Sequence, residues 1–238
     1  MSWRRIWMLC GLFIGATAWA QANFPNKPVN IIVPFPPGGA ADQPSRLFGQ
    51  AMNNVWKSGT VVVTRPGAGG AIGATAVANA APDGHTLLAT NPSLVILPEA
   101  DRLFGRNPAF ERSQFVPLGL LVADPLVLVV KADAPWKNYN EFVADARANP
   151  DKITYGSSGA YSASHLPIEM LAHAANMKLR HISYSGGGPA ILAVLGGHIG
   201  VTASSPSAVM AHIKSGALRP LVTTGVKRIA ALPDVPSA

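Results

Sequence analysis

The residues of this sequence best suited to chemistry carry no charge. Pro34-Phe35-Pro36-Pro37-Gly38-Gly39-Ala40-Ala41-Asp42 leaves a short apolar run and enters a periodic stretch. Tyr155-Gly156-Ser157-Ser158-Gly159-Ala160-Tyr161-Ser162-Ala163-Ser164-His165 does the same further along. The first N–H groups of a helix have no intrahelical acceptor and lie at the positive end of its dipole. Either loop is therefore suited to a carboxylate or phosphate without a cationic side chain. Each also has a plain alternative: the first reads as a tight turn packing helix on strand, and in the second Ser162 reads as a helix N-cap. Asp42 falls in a first helical turn, where it favours the dipole or caps loop amides rather than acting in catalysis. Two anion-friendly helix starts, one in each half of the chain, are placed to face each other across a cleft.

Catalytic signatures fail on spacing. Neither Gly156-Ser157-Ser158-Gly159 nor Ser183-Tyr184-Ser185-Gly186 is the Gly-x-Ser-x-Gly of a nucleophile elbow. The glycines at 67, 69, 70 and 73 miss the dinucleotide fingerprint, since Ile72 stands where its third glycine belongs, and no Gly-Lys-Ser/Thr forms a phosphate loop. His85, His165, His173, His181, His198 and His212 lack metal-ligand spacing and read as surface or capping residues. A triad of Ser164, His165 and Asp42 requires a proximity that the sequence does not show. The expectation is a binding protein with no catalytic residue, no metal and no cofactor.

The elements that must position these loops alternate between strand and helix. Strands are expected at Val29–Phe35, Val61–Thr64, Thr86–Thr90, Leu126–Val130, Ile153–Tyr155, Ile199–Ala203 and Leu221–Thr224. Helices are expected at Ala41–Met52, Ile72–Ala80, Asn140–Ala148, Ser162–Ala175, Pro189–Leu195 and Pro206–Ser215, with a turn at Asn91-Pro92-Ser93. Such alternation predicts an α/β protein of parallel sheets with helices on both faces and sites at strand carboxyl ends.

Composition narrows the class. The chain has 238 residues, 48% of them hydrophobic and 13% charged, which excludes a disordered protein. The net charge is +7, or +5 without the adjacent Arg4 and Arg5, and the remaining basic residues are scattered along the chain, without the stripe and interleaved aromatics of a nucleic-acid footprint. Residues 1–20 have the plan of an export signal: Arg4 and Arg5, an apolar run from Ile6 to Ala18, then Ala18-Trp19-Ala20 before Gln21. That run is too short to span a bilayer, and Asp124 interrupts the later apolar run from Pro117 to Val130. The expectation is a periplasmic protein, not membrane-embedded after cleavage. Cys10 lies inside the leader, so the mature chain has no thiol.

Several motifs together resemble one family. They are FPNKPVNIIVPFPPGGAAD from Phe24, VVVTRPGAGGAIGA from Val61, APDGHTLL from Ala81, TYGSSG from Thr154, HISYSGGGPA from His181, LGGHI from Leu195 and LPDVPS from Leu232. In this order they are similar to the Bug-type substrate-binding receptors of tripartite tricarboxylate transporters. The resemblance implies a two-lobed, type II-like periplasmic-binding fold that closes on a small carboxylate and delivers it to membrane permease subunits, as a monomer. It divides the chain into a signal peptide at 1–20, a first lobe at 21–122, a second lobe at 123–222 and a return to the first lobe at 223–238. It places ligand contacts on Pro36, Pro37, Gly38, Gly39, Ala40 and Ala41 from one lobe. From the other come Ser157, Ser158, Gly159, Ala160, Ser162 and Ser164, with Asn91 and Tyr184 as further candidates.

Gly39 is expected to be irreplaceable in this cradle, and Arg65 to support its own turn rather than clamp the ligand. Many relatives have acidic residues where this chain has Ala193 and Gly200, which favours a di- or tricarboxylate or an aromatic acid over an amino-bearing ligand. Relatives also continue for several tens of residues past LPDVPS, so the last part of the first lobe is expected to be missing, leaving apolar surface exposed. A ligand sensor using the same cleft, or a secreted hydrolase, are the alternative readings.

Overall fold

The computed structural model describes residues 24–238; the expected leader lies outside the described residues. In the first lobe, β1 (Val29–Val33), α1 (Asp42–Asn53), β2 (Thr60–Thr64), α2 (Ala71–Ala78), β3 (Thr86–Leu88) and α3 (Ser93–Leu103) follow one another, with a 3₁₀ turn at Ala68–Gly70 before α2. Their strands form a sheet of order β2-β1-β3. Every pair is parallel, with Ile31 opposite Val62 on one side and Leu87 on the other. Parallel neighbours need crossover connections, and α1 and α2 supply them. The β-branched run of β1 suits the central position, where Val29, Ile31, Ile32 and Val33 are buried.

The second lobe contains β4 (Val127–Lys131), α4 (Tyr139–Ala148), β5 (Thr154–Ser157), α5 (His165–Ala174), β6 (Arg180–Ser183), α6 (Gly187–Leu195), β7 (Val201–Ser204), α7 (Pro206–Lys214) and β8 (Leu218–Thr223). Its sheet has the order β6-β5-β7-β4-β8. Because successive side chains of a strand alternate between faces, β4 serves two cores. Leu128 and Val130 pack with Phe142 and Ala146 of α4 and Ile168 of α5. Val127 and Val129 pack with Ile191 and Val194 of α6 and Val209 of α7 on the opposite face. Both large core clusters therefore belong to this lobe.

The structure departs from the expected elements in several places. The second sheet is not wholly parallel: β4 runs antiparallel to both β7 and β8. It enters from the first lobe through irregular chain rather than through a helical crossover, so nothing imposes the common direction on it. Helix α3 occupies a region expected only to begin with a turn. Pro98 inside it obscures the helical pattern by removing one N–H donor. Strand β6, Arg-His-Ile-Ser, is a polar edge strand without an apolar signature. Residues after β8 do not return to the first lobe: Leu232 and Val235 are buried in the second lobe's α6/α7 core. The bond from Thr223 N–H to Pro236 O at 2.9 Å holds that segment beside β8. In the connection between lobes, Val116, Leu118 and Leu120 are 82%, 78% and 79% exposed.

These contrasts set expectations for stability. Phe142 is fully buried and meets Trp136 edge-on at 5.3 Å. Phe142→Ala should lower unfolding free energy by about 3–5 kcal/mol through lost burial and a residual cavity. Val116→Ser should change it by less than about 0.5 kcal/mol. Urea unfolding followed by far-UV circular dichroism measures both.

Candidate ligand-binding site

The first wall of the cleft is the loop from β1 to α1. Asp42 shapes it: Oδ2 accepts the Gly38 N–H at 2.9 Å and Arg46 Nε at 2.9 Å, while the Asp42 N–H bonds back to Gly39 O at 3.1 Å. Burial acts to raise the pKa of this carboxyl, but the hydrogen bonds from Arg46 and Gly38 outweigh it and hold Asp42 below its ordinary value. Asp42 thus caps the loop, as its place in the first turn suggested, and the Gly38 amide is consumed. Among the described residues, the N–H groups of Gly39, Ala40 and Ala41 have no protein acceptor.

The second wall is the loop from β5 to α5, and its serines are turned inward. Ser157 is fully buried; its Oγ donates to Gly159 O at 2.8 Å and lies 2.7 Å from His181 Nε2. Ser164 Oγ accepts the Ser158 N–H at 2.9 Å, and Ser162 Oγ accepts the His165 N–H at 3.3 Å. Helix α5 begins at His165 rather than at Ser162, and Ser162 supplies the capping oxygen before it. The amides of Ser158 and Gly159 are therefore not free, contrary to the simple helix-start picture. Short hydroxyl side chains nearby claim them first.

The two walls touch. A Cβ on Gly159 would lie 2.7 Å from Gly69 Cα, and one on Gly186 would lie 2.3 Å from Pro36 Cδ. Ser93 Oγ accepts the Ala163 N–H at 3.1 Å across the cleft, and the rings of Phe104 and Tyr161 stand 5.4 Å apart. Pro36 and Pro37 therefore face Gly186 and Gly188, while Ala160 faces Gly69. Asn91 uses Oδ1 to accept the Ser93 N–H at 3.0 Å, so that oxygen positions α3. The Tyr184 ring lies over Gly156 and joins the α6/α7 core.

Sequence reasoning missed three contributors: Gly69, Ser93 and the start of α6 at Gly187-Gly188, whose N–H groups have no intrahelical acceptor. The Ser-Gly-Gly-Gly run before Pro189 was the available signal for the last. Gly39 is not conformationally special, since a Cβ there meets only Pro36 O at 3.5 Å. The positions where a side chain would run into the opposite wall are Gly159, at φ +127°, and Gly186. Nor are all histidines superficial: His85 is buried, and the rings of His165 and His181 pack at a tilt with centroids 4.1 Å apart.

Chemically, the walls present amides and hydroxyls. Pro34–Ala41, Gly67–Gly70, Asn91–Ser93, Ser157–Ser164 and Tyr184–Gly188 contain no Lys, Arg, Asp or Glu. The close Ser157–His181 pair is not a nucleophile and its base. The hydroxyl proton is committed to Gly159 O and the side chain is sealed from solvent, so His181 Nε2 donates to Ser157. The supposed triad is also dispersed, with Asp42 in the first lobe occupied by Gly38 and Arg46.

Residues 46–238 match the sequence profile of the tripartite tricarboxylate transporter family receptor. Among curated relatives, a UPF0065 protein of a Pseudomonas species is 36% identical over 215 residues, covering 90% of this chain and 63% of the relative. BugT of Bordetella pertussis is 32% identical over 242 residues, covering 100% of this chain and 74% of the relative. The chain thus spans under two thirds of the Pseudomonas protein's length. Among solved structures, the periplasmic binding protein BugD is similar with a TM-score of 0.83 and 33% identity, over 90% of this chain and 71% of that one. Rhodopseudomonas palustris Rpa4515 with adipate has a TM-score of 0.84 at 26% identity, over 90% and 71%. MatC from the same organism with bound malate has a TM-score of 0.80 at 27% identity, over 90% and 72%.

Closure depends on the absence of a side chain at Gly186, whose φ of 174° is open to any residue. Gly186→Ala should therefore leave the urea midpoint nearly unchanged while pushing Pro36 away. Small-angle scattering should show a larger radius of gyration than for the parent; an unchanged radius would mean that Pro36 yields locally instead.

Proposed function

Because the chain belongs to the tripartite tricarboxylate transporter receptor family, we propose that it is an extracytoplasmic solute-binding receptor. It captures a small carboxylate between its lobes and delivers it to the membrane permease subunits of a tripartite tricarboxylate-type transporter. The observation that carries this reading is a cleft wall without charged side chains but with amides left unclaimed at Gly39, Ala40, Ala41, Gly187 and Gly188. A carboxylate gains charge-assisted hydrogen bonds from such groups at little desolvation cost to the protein. Adipate and malate in Rpa4515 and MatC support the ligand class.

The ligand contacts comprise the loop Pro36–Ala41, Ala160 and the surrounding Ser157–Ser164 turn, with Asn91 and Tyr184 at the margin. Ser157, Ser158, Ser162 and Ser164 act mainly by shaping that turn. The two lobes divide near residue 122, and hinge motion between them admits and releases the ligand. Capture involves no chemical step and no cofactor, and the receptor works as a monomer. Residues 1–20 direct export to the periplasm and are removed. Among the described residues no helix is long and apolar enough to cross a membrane.

A thermal-shift screen with adipate, malate, citrate and benzoate tests ligand capture. A ligand at a hundred times its dissociation constant adds about 2.7 kcal/mol of stability, so at least one should raise the midpoint clearly. Arg65 is exposed, and its side chain makes no hydrogen bond among the described residues. Arg65→Ala should therefore retain the shift; its loss would replace the amide cradle with a guanidinium clamp. Expression in a Gram-negative host should yield a mature N-terminus near Gln21 by mass spectrometry, and an intact Met1 in the membrane fraction would refute export and cleavage.

A further inference from the structure

Behind the second wall lies a cluster of ionisable side chains that ligand contact does not use. His165, at the first position of α5, accepts the Tyr161 N–H on Nδ1 at 3.0 Å. Its ring packs at a tilt of 38° on His181 of β6 at 4.1 Å, lies near-parallel to Tyr155 of β5 at 6.0 Å and meets the Tyr161 ring edge-on at 5.6 Å. On the other side, Nε2 is 3.9 Å from Oε1 of Glu169, one turn along α5, an oxygen that also accepts the Tyr155 hydroxyl. The ionisable groups facing His165 are thus Glu169, His181, Tyr155 and Tyr161.

We propose that His165 is a positioning residue for ligand capture. In its neutral form it holds Tyr161 and keeps the second wall in its closing shape; once protonated it releases that wall and the ligand with it. The inference rests on the receptor reading above for its ligand, though not for the switch itself.

A ring nitrogen that accepts an N–H cannot also carry a proton, so the Tyr161 bond exists only with neutral His165 in the Nε2–H form. Tyr161 has φ +59°, a left-handed conformation that is unfavourable for a non-glycine residue and persists where surroundings hold it. The segment it anchors carries the cross-cleft contacts: Gly159 against Gly69, the Ala163 N–H on Ser93 Oγ, and Tyr161 against Phe104. Protonation would turn Nδ1–H against Tyr161 N–H and remove the one side-chain acceptor of that amide. His181 behaves differently, because its Nε2–H to Ser157 survives in either charge state.

The direction of the pH effect follows from the surroundings. Burial pushes His165 below the ordinary histidine value, and Glu169 opposes this only in part. His181 is also lowered, first by burial and then by repulsion from a charged His165, so the two do not share charge readily. The form in which Nδ1 accepts the Tyr161 N–H therefore takes up a proton less readily than one in which that bond is broken and the ring reaches water. Closure is fully favoured above about pH 6.5 and weakens progressively as pH falls below it, until the closed form also protonates.

The test compares the parent with His165→Asn and His165→Ala. Asparagine can place Oδ1 near the site of Nδ1, accepting the Tyr161 N–H without titrating; alanine removes the acceptor. Adipate affinity is measured by isothermal titration at about pH 8 and about pH 5.5, on either side of the ordinary histidine value. Loss of one hydrogen bond should weaken the parent at the lower pH by about fivefold more than His165→Asn, with the adipate's own titration common to both. His165→Ala should bind weakly at both pH values. Without ligand, the exchange protection of the Tyr161 amide, corrected for intrinsic rate, should fall on acidification in the parent. A pH-independent Tyr161 protection factor, or an identical pH dependence in His165→Asn, overturns the inference. If no carboxylate binds at any pH while Tyr161 protection still steps, the receptor reading fails and the switch stands.

Discussion

Everything at the cleft depends on which backbone N–H groups are claimed by the protein's own side chains and which are left over. A buried or half-buried amide needs an acceptor, and this chain puts short acceptors beside most of those near the cleft. Asp42 takes Gly38, Ser157 takes Gly159, Ser164 takes Ser158, Ser93 takes Ala163 and His165 takes Tyr161. The remainder, at the loop before α1 and at the start of α6, have no protein acceptor among the described residues. In a wall without cations, this remainder supplies the positive potential that an anion would meet.

The same acceptors also shape the loops. Ser93 Oγ and His165 Nδ1 are each taken up by a protein N–H. Ser93 ties the first lobe to the loop 158–164, and His165 ties that loop to its own helix. Closure brings backbone against backbone, at Gly69 with Gly159 and at Pro36 with Gly186, where no β-carbon fits. The second lobe is well suited to be the rigid partner in such a movement. Its sheet is packed on both faces by helices, and β4 contributes alternate side chains to each core. The first lobe has one strand, β1, with nearly complete burial, flanked by half-exposed β2 and β3.

Much of the α/β architecture was legible because its signals are local. Apolar runs such as Val-Asn-Ile-Ile-Val and the periodicity of α1, α4 and α5 place strands and helices within a few residues of their observed ends. Asp42 as a cap was legible for the same reason, since its partners are four residues away on either side. Helix α3 was hidden by Pro98, β6 by its polar composition, and the reversed β4 by having no crossover helix to set its direction. The return of residues 223–238 to the first lobe was expected from resemblance, whereas Leu232 and Val235 bury themselves against α6 and α7.

The chemical character of the site was set by sequence alone: two glycine- and serine-rich helix starts, no thiol after Cys10, no nucleophile motif and no cationic cluster. Which of its atoms remain available was decided only in three dimensions. Gly39 and Gly186 look alike in sequence, yet only Gly186 meets a proline from the other lobe. His165 and His181 are sixteen residues apart but their rings meet because β5 and β6 are adjacent parallel strands, with Tyr155 beside His181 in register. Residue type determines what an amide or imidazole can donate or accept, whereas the partner that claims it depends on distances between segments far apart in the chain, which local patterns do not encode.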